Sequence, residues 1–583
     1  MGTMGLEEIR ELARKLALQN AVKHGGRADA RATLGKLLAE RGELRPRAKE
    51  IAELVKGVVE EVNKMGFEEQ MRELGPLGGI EAERKRKEEA RALPPLPNAD
   101  KYPRIVTRFS PNPDCVLHLG SVRAAILSHE YARIYGGKFI LRFEDTDPRL
   151  KRSSLEFYEA IRSDLRWLGC EWDEEYIQSD RLRIYYDLAE ELIERGGAYV
   201  CTCDREAFRS LALAGRACPC RDLGPGAHLE RWGRMLSGEY GEGDAIVRVK
   251  TDLGHPNPAV RDWPALRIID PEKYPHPRVG SAYRVWPLYN FACGIDDHLM
   301  AVTHVIRGKE HYTNMVRQKY MYAHFGWEYP EAIHYGRLKV SGAELSKSKI
   351  LKAVEAGLVE GFGDPRLPTL AALRRRGILP EALRRLAIEV GPKPVDATIS
   401  WENLYAQNRK LIDPIANRYF FIPDPVLVRI RRMPGPIEAM LPLHPEFPDR
   451  GHRVIRAEPE NGTAELLMPK SDICRLGAGA IVRLMGLMNV RILSVWGDGA
   501  EAEYEGRSPE PAKRAGVQII QWLPKRENLK VELVKEDAER LTGVGEVGLS
   551  GEPVGAIIQL VRIGFGRIDE KGHMGVRIYL AHA

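Results

Sequence analysis

Apolar residues recur at helical spacing through the first part of the chain. The spacing is clearest in LEEIRELARKLALQNAVKH and again in RAKEIAELVKGVVEEVNKMGF. A charged run follows, EAERKRKEEARALPPLPNADKYPR, and it contains Pro94, Pro95 and Pro97. Mixed charge and proline together indicate a linker or an exposed boundary. The pattern therefore predicts a helical N-terminal domain over residues 1–97.

From about residue 101 the pattern alternates between strands and helices. Apolar runs at Ile105–Phe109 and Lys138–Phe143 predict strands, and longer stretches at Ser121–Tyr135 and Ser154–Leu168 predict helices. Such alternation favours a parallel sheet with right-handed crossovers. The acidic string Glu144–Asp147 follows the second strand, at the edge where open α/β sheets bind ligands. We predict an α/β domain over residues 98–345.

Three later regions depart from this alternation. Residues 187–283 contain a cysteine cluster and many prolines, which predicts an insertion, and the alternation resumes at WPLYNFACGIDDHLMAVTHVIRGKEH. Residues 346–415 are predicted to be largely helical. Beyond 416 the chain consists of short apolar runs divided by Gly, Pro and Asp, among them VLVRI, KVELV and GVRIYLAHA. This spacing is typical of β-barrels and assigns them to residues 416–583.

Composition narrows the class of protein. The 583 residues are 44% hydrophobic and 29% charged, which is typical of a soluble multidomain protein of about four domains. No run approaches the ~20 apolar residues that a membrane span needs. The opening segment MGTMGLEEIRELARK lacks the apolar stretch of a secretory leader. We therefore expect a cytoplasmic protein without a membrane partner.

The net charge of +6 permits a nucleic-acid partner without requiring one. Local basic patches indicate a nucleic-acid partner better than the net charge does. Arg374–Arg376 and Arg384–Arg385 are two such patches. Each can be a nucleic-acid contact or simply the solvated face of a helix.

Four of the eight cysteines form two pairs of CxC spacing: Cys201 and Cys203, then Cys218 and Cys220. Two such pairs can deliver four thiolates tetrahedrally to zinc. Disulfides are the alternative, chiefly if the protein comes from a hyperthermophile. We predict a structural zinc site, because protein ligands would fill all four positions.

The strongest chemical signal is a pair of distant motifs. The first, His118-Leu119-Gly120-Ser121, begins the helix after the first strand and a Pro-rich loop. The second, Leu345-Ser346-Lys347-Ser348, lies in a polar loop. A helix start attracts phosphate, and Gly120 allows close approach of a nucleotide. His118 and Lys347 can stabilise charge that develops as pyrophosphate leaves. Either motif alone also occurs by chance, but the strand–loop–helix context favours adenylate chemistry.

The stretches RFSPNPDCVLHLGSVRAAIL and GGKFILRFEDTD resemble class I aminoacyl-tRNA synthetases of the glutamyl/glutaminyl subgroup. HLGS corresponds to the family's HIGH motif and ELSKS to its KMSKS loop. Ser121 replaces the second His of HIGH, and Glu344 replaces the first Lys of KMSKS. The resemblance, strongest over about residues 101–425, implies a multidomain α/β protein with a Rossmann-type class I catalytic domain.

The resemblance also assigns roles around ATP. It implies that His118, Gly120 and Lys347 are the catalytic residues. It implies further ATP contacts, with Mg²⁺ accompanying the nucleotide, from Pro113, Ser121, Ser346 and Ser348.

The amino-acid site is implied residue by residue in the same way. Arg108 would hold a substrate carboxylate and Asn112, where bacterial relatives usually carry Ser, would add a polar contact. Glu144 would pair with the α-ammonium group, and Tyr289 would flank the side chain. Cys293 stands where bacterial relatives have Asn.

Arg307 decides between the two amino acids. Glutamyl enzymes carry Arg at this place, whereas glutaminyl enzymes carry an uncharged residue. A γ-carboxylate pairs well with a fixed guanidinium, and a neutral amide would leave charge desolvated. The alternative for Arg307 is a surface salt bridge near the end of a strand. Asp296-Asp297-His298 can be read as a metal site, but we favour carboxylates that cap a helix and form a polar network.

The remaining domains are read through the same resemblance. It implies an acceptor-binding insertion with a CxC-type zinc site. C-terminal β-barrels match the anticodon domains of archaeal-type glutamyl and of glutaminyl enzymes, whereas bacterial glutamyl enzymes use a helical cage. The N-terminal helices are similar to tRNA-contacting add-ons, with a packing domain as the alternative.

The expected function is activation of L-glutamate with ATP and transfer to the terminal adenosine of tRNA(Glu), by a monomer that needs tRNA bound first. We expect tRNA(Gln) as a second substrate. Arg307 disfavours a glutaminyl enzyme. The barrel region disfavours a truncated paralogue that glutamylates a modified base. His118 and Lys347 disfavour an inactive tRNA-binding scaffold.

Overall fold

A computed structural model describes residues 6–23, 27–66, 69–70, 73, 93–342, 346–572 and 575–583. The chain divides into two compact units, 1–92 and 93–583. The first unit contains the predicted helices, which are α1 (Leu6–Lys23), α2 (Ala30–Glu40) and α3 (Ala48–Lys64). They bury an apolar core of their own that includes Ile9, Leu16 and Val55. The charged run at 81–92 lies outside the described residues.

The second unit opens with the predicted alternation. Its elements are β1 (Val106–Phe109), α4 (Leu119–Ile134), β2 (Lys138–Phe143), α5 (Leu155–Trp167) and β3 (Glu174–Ile177). The strands pair in parallel in the order β1-β2-β3. Gly137 makes the tight entry into β2 possible, because a Cβ there would lie 2.1 Å from the Ile105 carbonyl oxygen. The predicted parallel sheet is thus confirmed.

The insertion forms a separate sheet. Its elements are α6 (Leu182–Glu194), β4 (Ala198–Cys201), α7 (Arg205–Leu213), α8 (Pro225–Ser237), β5 (Ile246–Val249), β6 (Pro264–Ile268) and β7 (Val285–Pro287). The four strands pair antiparallel in chain order. The sequence pattern assigned Trp286 to the resumed α/β alternation. It pairs instead with Arg267 in this sheet, so the sheet extends past residue 283.

The α/β domain then resumes. Its elements are α9 (Tyr289–Leu299), β8 (His304–Gly308), α10 (Tyr312–Phe325), β9 (Glu331–Tyr335) and β10 (Leu338–Val340). β8 and β9 pair in parallel, and β8 starts beside β1, where the Thr303 N–H donates to the Val106 carbonyl at 3.0 Å. The carboxyl ends of β1, β2 and β8 therefore meet at one edge.

The region predicted to be helical contains one strand as well. Its elements are α11 (Lys347–Glu355), α12 (Leu370–Arg376), α13 (Pro380–Val390), β11 (Ala397–Ile399) and α14 (Trp401–Ile412). β11 pairs in parallel with β10. Lys347 and Ser348, predicted in a loop, begin α11 behind Ser346 at its N-cap. Glu344 and Leu345 lie outside the described residues.

The C-terminal region is rich in β structure, as predicted. Its elements are β12 (Asn417–Tyr419), β13 (Phe421–Pro423), β14 (Pro425–Arg431), β15 (Ile437–Pro442), β16 (His452–Ala457), β17 (Pro459–Glu460), β18 (Thr463–Pro469), α15 (Lys470–Ile473), β19 (Ile481–Leu484), β20 (Asn489–Trp496), β21 (Gly499–Gly506), α16 (Glu510–Ala515), β22 (Ile519–Ile520), β23 (Leu523–Pro524), β24 (Leu529–Val534), β25 (Arg540–Gly545), β26 (Ile557–Leu560), β27 (Gly564–Gly572) and β28 (Gly575–His582).

Two large sheets contain all of these strands except β15 and β16, which pair with each other. One has seven strands in the order β12-β26-β27-β28-β24-β25-β13, and the other has eight, in the order β17-β18-β14-β21-β20-β19-β22 with β23 paired to β18. In the first sheet β12 and β13 occupy opposite edges although only Phe420 separates them along the chain. The sheet must therefore curve until its edges nearly meet, which is a nearly closed barrel. None of the helices that the structure describes is long and apolar enough to cross a membrane.

Candidate active site

A cavity of about 740 Å³ opens at the carboxyl ends of β1, β2 and β8. Its walls include seven of the predicted site residues: Arg108, Asn112, Ser121, Glu144, Tyr289, Arg307 and Lys347. The other predicted ATP contacts lie outside these walls: Pro113, His118, Gly120, Ser346 and Ser348. Chain segments that are far apart in sequence thus share one cavity because the parallel strands end at the same edge.

The buried Arg108 of the cavity wall and the buried Arg142 share one carboxylate. Arg108 donates to Asp297 from Nε at 3.0 Å and from Nη2 at 3.4 Å, and Arg142 donates from Nη1 at 2.9 Å. Burial alone would raise the pKa of Asp297, but the two guanidinium groups lower it to about 2. Arg108, predicted to hold a substrate carboxylate, is therefore oriented by a protein carboxylate.

The neighbouring Asp296 has a separate set of partners. It accepts hydrogen bonds from Gln178 at 3.0 Å, Arg181 at 2.9 Å and Tyr185 at 2.7 Å. The predicted polar network is present. The predicted helix cap is not, because Asp296 and Asp297 lie within α9 and not at its N-terminus.

Glu144 follows β2 and faces the cavity. Its carboxylate accepts a hydrogen bond from Nη2 of Arg142 at 3.1 Å, and its N–H donates to the Pro111 carbonyl at 3.0 Å. Burial raises the pKa of Glu144, while Arg142 and Arg108 act in the opposite direction. The result is a partly buried carboxylate within reach of a cationic ligand group.

Arg307 differs from the other two buried arginines. Its Nη2 donates to Tyr329 Oη at 3.0 Å and to Gln318 Oε1 at 3.2 Å, and Nη1 reaches Tyr289 Oη at 3.4 Å. Only 5% of Arg307 is exposed. No carboxylate in the described part of the chain forms an ion pair with it, so the surface salt bridge that we considered is wrong. The described residues therefore leave a buried cation in the cavity without a carboxylate partner, which is costly unless an anion binds there.

The loop after β1 adds unpartnered polar atoms. Asn112 Oδ1 and Ser110 Oγ are buried and have no hydrogen-bond partner among the described residues, and both residues line the cavity. Buried polar atoms normally have partners. These two are therefore available to a ligand or to water.

His118 is the N-cap residue of α4. Its Nδ1 accepts a hydrogen bond from the Gly120 N–H at 3.0 Å, which assigns the ring proton to Nε2. Burial, together with the charge of Lys347, lowers the pKa of His118 to about 4. The imidazole is neutral at pH 7 and can donate from Nε2.

Lys347 approaches this loop from α11. Its Nζ donates to the Asn112 carbonyl and to Asp114 Oδ1, each at 2.9 Å. The ammonium group therefore lies in the cavity wall beside the start of α4. A helix N-terminus, a neutral imidazole donor and a lysine can together bind and polarise a phosphate group.

Sequence reasoning missed four residues at this site. Arg142 was detectable, because an arginine inside the apolar strand KFILRF requires a buried partner. His311 lines the cavity and its ring lies 5.4 Å from that of Tyr289; burial and then Arg307 lower its pKa to about 3. Gln318 and Tyr329 gave no signal, since neither belongs to a motif.

The insertion brings all four predicted cysteines together. Their sulfur atoms lie within 4.8 Å of one another, with Cys201 and Cys218 at 3.9 Å and Cys203 and Cys220 at 3.7 Å. Four thiolates about 2.3 Å from one zinc ion would lie about 3.8 Å apart. The Thr202 N–H also points to the Cys220 sulfur, at 3.5 Å. Donor type, number and spacing fit a structural zinc ion.

Comparison with known families gives two matches that together cover most of the chain. The family described as tRNA synthetases class I (E and Q), catalytic domain, matches residues 104–414. The family's anti-codon binding domain matches residues 416–506.

Individual proteins match over almost the whole chain. The glutamate–tRNA ligase of Pyrococcus furiosus is 51% identical over 579 residues, which cover 99% of this chain and 100% of the relative. That of Methanopyrus kandleri is 49% identical over 577 residues, covering 99% of each. A crystal structure of a glutamate tRNA ligase from Elizabethkingia meningosepticum is 24% identical, with a TM-score of 0.40, over 54% of this chain and 70% of the other.

Proposed function

The chain belongs to the class I tRNA synthetases specific for glutamate and glutamine, and we infer that its cavity activates glutamate. The overall reaction joins L-glutamate to tRNA(Glu) with ATP, in agreement with full-length relatives at about half identity. The observation that carries the choice of amino acid is Arg307, a buried cation in the cavity without a carboxylate partner in the described chain.

We propose the following arrangement for the substrates. The γ-carboxylate of glutamate binds Arg307, with Tyr289 beside it. The α-ammonium group binds Glu144. Arg108 supports a substrate carboxylate and Asn112 adds a hydrogen bond. Charge complementarity supports the roles of Arg307, Glu144 and Arg108, because each of these side chains would meet a ligand group of opposite charge in a largely buried site.

ATP, which class I synthetases use with Mg²⁺, would lie against the start of α4, contacted by Pro113, Gly120, Ser121, Ser346 and Ser348. An oxygen of the glutamate α-carboxylate attacks the α-phosphorus, and pyrophosphate leaves with the electrons of the broken P–O bond. No base is required, because the carboxylate is already ionised. The neutral imidazole of His118 and the charge of Lys347 stabilise the phosphate oxygens in the transition state.

A hydroxyl of the terminal adenosine of tRNA then attacks the glutamyl carbonyl carbon, and AMP leaves. We propose that the insertion carries a structural zinc ion on its four cysteines. We also propose that the protein acts as a monomer in the cytoplasm, and that it charges tRNA(Gln) with glutamate as well. The proposal on tRNA(Gln) rests on the resemblance to archaeal-type enzymes.

Exchange of radiolabelled pyrophosphate into ATP tests the function. We expect exchange that requires glutamate and tRNA together. Glutamine that supports exchange better than glutamate would overturn the assignment. Charging of separate tRNA(Glu) and tRNA(Gln) transcripts then decides the range of tRNA substrates.

A further inference from the structure

The guanidinium group of Arg307 is held by two neutral side chains that belong to no recognised motif. We propose that Gln318 and Tyr329 are positioning residues, which fix Arg307 so that it accepts a γ-carboxylate and rejects a γ-amide. The inference rests on the proposed function, in which Arg307 binds the side chain of glutamate.

The three side chains form a closed hydrogen-bonded triangle. Nη2 of Arg307 donates to Tyr329 Oη at 3.0 Å and to Gln318 Oε1 at 3.2 Å, and the Tyr329 hydroxyl donates to the same Oε1 at 2.7 Å. Gln318 Nε2 donates to the Asn290 carbonyl at 3.3 Å. That last bond fixes which end of the amide faces Arg307, so Oε1 can only accept.

Gln318 is fully buried and Tyr329 is partly buried. Gln318 is 0% exposed, and the ring of Tyr329 packs edge-on against that of Tyr322 at 4.9 Å. Gly294 lies where α9 packs on α10: a Cβ there would lie 2.5 Å from Met321 Cε and 3.4 Å from Gln318 Cγ, so the Met321 side chain would have to shift. The packing of α10 on α9 therefore positions Gln318, whereas Tyr329 comes from the segment between α10 and β9.

The holders, Gln318 and Tyr329, are suited to positioning Arg307 because both side chains are uncharged. Arg108 and Arg142 are held by Asp297, and that carboxylate cancels part of their charge. Gln318 and Tyr329 orient Arg307 without cancelling its charge. A substrate carboxylate then meets the full charge, whereas an amide would present its NH₂ group to donors that cannot accept.

Rigidity matters as much as charge. A guanidinium group free to rotate could turn one N–H towards an amide oxygen and leave the amide NH₂ pointing to water. Two hydrogen bonds on Nη2 prevent that rotation. Nη1 keeps one N–H besides the one that reaches Tyr289 at 3.4 Å, and the buried Nε has no partner among the described residues, so both can donate to the ligand. Discrimination should therefore depend on the holders as well as on Arg307.

The test compares Tyr329→Phe with Tyr322→Phe in pyrophosphate exchange with saturating tRNA. Each change removes one hydroxyl from the same aromatic cluster. Only the first hydroxyl contacts Arg307, because that of Tyr322 donates to the Gly294 carbonyl at 2.6 Å.

For Tyr329→Phe we expect KM for glutamate to rise and kcat to change little. The ratio of glutamate to glutamine in kcat/KM should fall about tenfold. Tyr322→Phe should leave the ratio unchanged.

Gln318→Glu gives a second and larger effect. A carboxylate at this position would neutralise Arg307 and repel the γ-carboxylate, so the same ratio should fall about a hundredfold. Should this variant not fold, as judged by its thermal unfolding, Tyr329→Phe still decides the matter. Equal losses for glutamate and glutamine in Tyr329→Phe, or a ratio no different from that of Tyr322→Phe, would overturn the inference.

Arg307→Met separates this inference from the proposed function. If Arg307→Met leaves the glutamate-to-glutamine ratio unchanged, the assignment of Arg307 itself is wrong. If Arg307→Met reduces the ratio and Tyr329→Phe does not, Arg307 selects glutamate without help from its holders.

Discussion

Lys347 crosses from α11 to the loop after β1, where its Nζ meets the Asn112 carbonyl and Asp114 at 2.9 Å each. A flexible lysine can exchange these partners for phosphate oxygens. The same charge is most useful when pyrophosphate leaves, since negative charge accumulates there in the transition state. At the residue scale, the function of Lys347 is therefore expected in the chemical step more than in binding of glutamate.

Lys347→Ala should lower kcat about 10²–10³-fold and change KM for glutamate little, because removal of one donor to developing charge costs about that much. Steady-state pyrophosphate exchange with varied glutamate measures both constants. Lys352→Ala, an exposed lysine on the same helix, is the matched control. A raised KM with an unaltered kcat would contradict the transition-state role.

Asp164 on α5 is a buried carboxyl group that the reaction does not use. It is 4% exposed, and its Oδ2 has no partner in the described chain. Burial raises its pKa to about 7, although the Leu117 N–H and Arg374 oppose this. In the unfolded chain the pKa of an aspartate side chain is about 4. Between these values the folded state holds the proton, so the contribution of Asp164 to stability falls as the pH rises.

Asp164→Asn removes this titration. Relative to the original chain, the variant should gain about 1 kcal/mol for each unit of pH between about 5 and 7, and then level off. Urea unfolding of both proteins at several pH values measures the difference. A constant difference across that range would show that Asp164 is ionised in the folded protein.

At the scale of elements, the sequence predicted long helices and strands with a clear hydrophobic period better than it predicted short strands. β2 and α4 were predicted closely because long apolar runs carry a period that the fold keeps. β7 and β11 were missed. Each has three residues, too few for a period, and each is defined by its pairing with a distant strand.

The residues of the active site also divide into those that the sequence predicted and those that it did not. The HLGS and SKS motifs and the cysteine pairs were visible because neighbours along the chain perform one task. Gln318 and Tyr329 come from α10 and the segment after it, and only the folded chain brings them to Arg307 on β8. Similarly, Arg376 belongs to a run that could be read as a solvated face, yet it is 3% exposed.

The cysteine cluster gives a prediction for the insertion. The isolated protein should contain one zinc ion per chain, and Cys218→Ser should lose it and lower the thermal unfolding temperature, because bound metal stabilises the fold. Elemental analysis by mass spectrometry measures the metal. Cys474→Ser, which removes an exposed cysteine, should keep the zinc. Metal-free protein with disulfides among these cysteines would support the alternative.

α12 links the helix-start motif to the barrel. The Leu370 N–H donates to the Leu117 carbonyl at 3.1 Å. At the other end, Arg376 donates to the carbonyls of Leu580 at 3.2 Å and Ala581 at 2.7 Å. Arg375 pairs with Asp569 at 2.8 Å. A helix of seven residues thus contacts both the active-site loop and the last strand.

Arg376→Met should destabilise the chain by about 1–3 kcal/mol, since it leaves buried carbonyls without a donor. Urea unfolding measures the loss. Arg526→Met removes a surface arginine whose pair with Glu460 is largely exposed, and it should cost less than about 1 kcal/mol. Equal costs for the two variants would mean that the buried hydrogen bonds add no net stability.

At the scale of the whole molecule, the division into two units separates chemistry from an accessory region. The cavity is lined by residues between Arg108 and Lys347, and the catalytic-domain family match begins at residue 104. The apolar core of the first unit consists only of its own residues. Glutamate activation should therefore depend on residues 93–583, whether or not residues 1–92 take part in tRNA binding.

A chain that begins at residue 93 should keep tRNA-dependent pyrophosphate exchange with an unaltered KM for glutamate, because every cavity residue is retained. Charging assays with varied tRNA(Glu) then report on the removed helices. A raised KM for tRNA with unaltered kcat indicates that the helices contact tRNA, since lost uniform binding raises KM alone. An unaltered KM for tRNA indicates a packing domain. Loss of exchange in a truncated chain that still unfolds cooperatively would contradict the separation, because it would mean that residues 1–92 shape the active site.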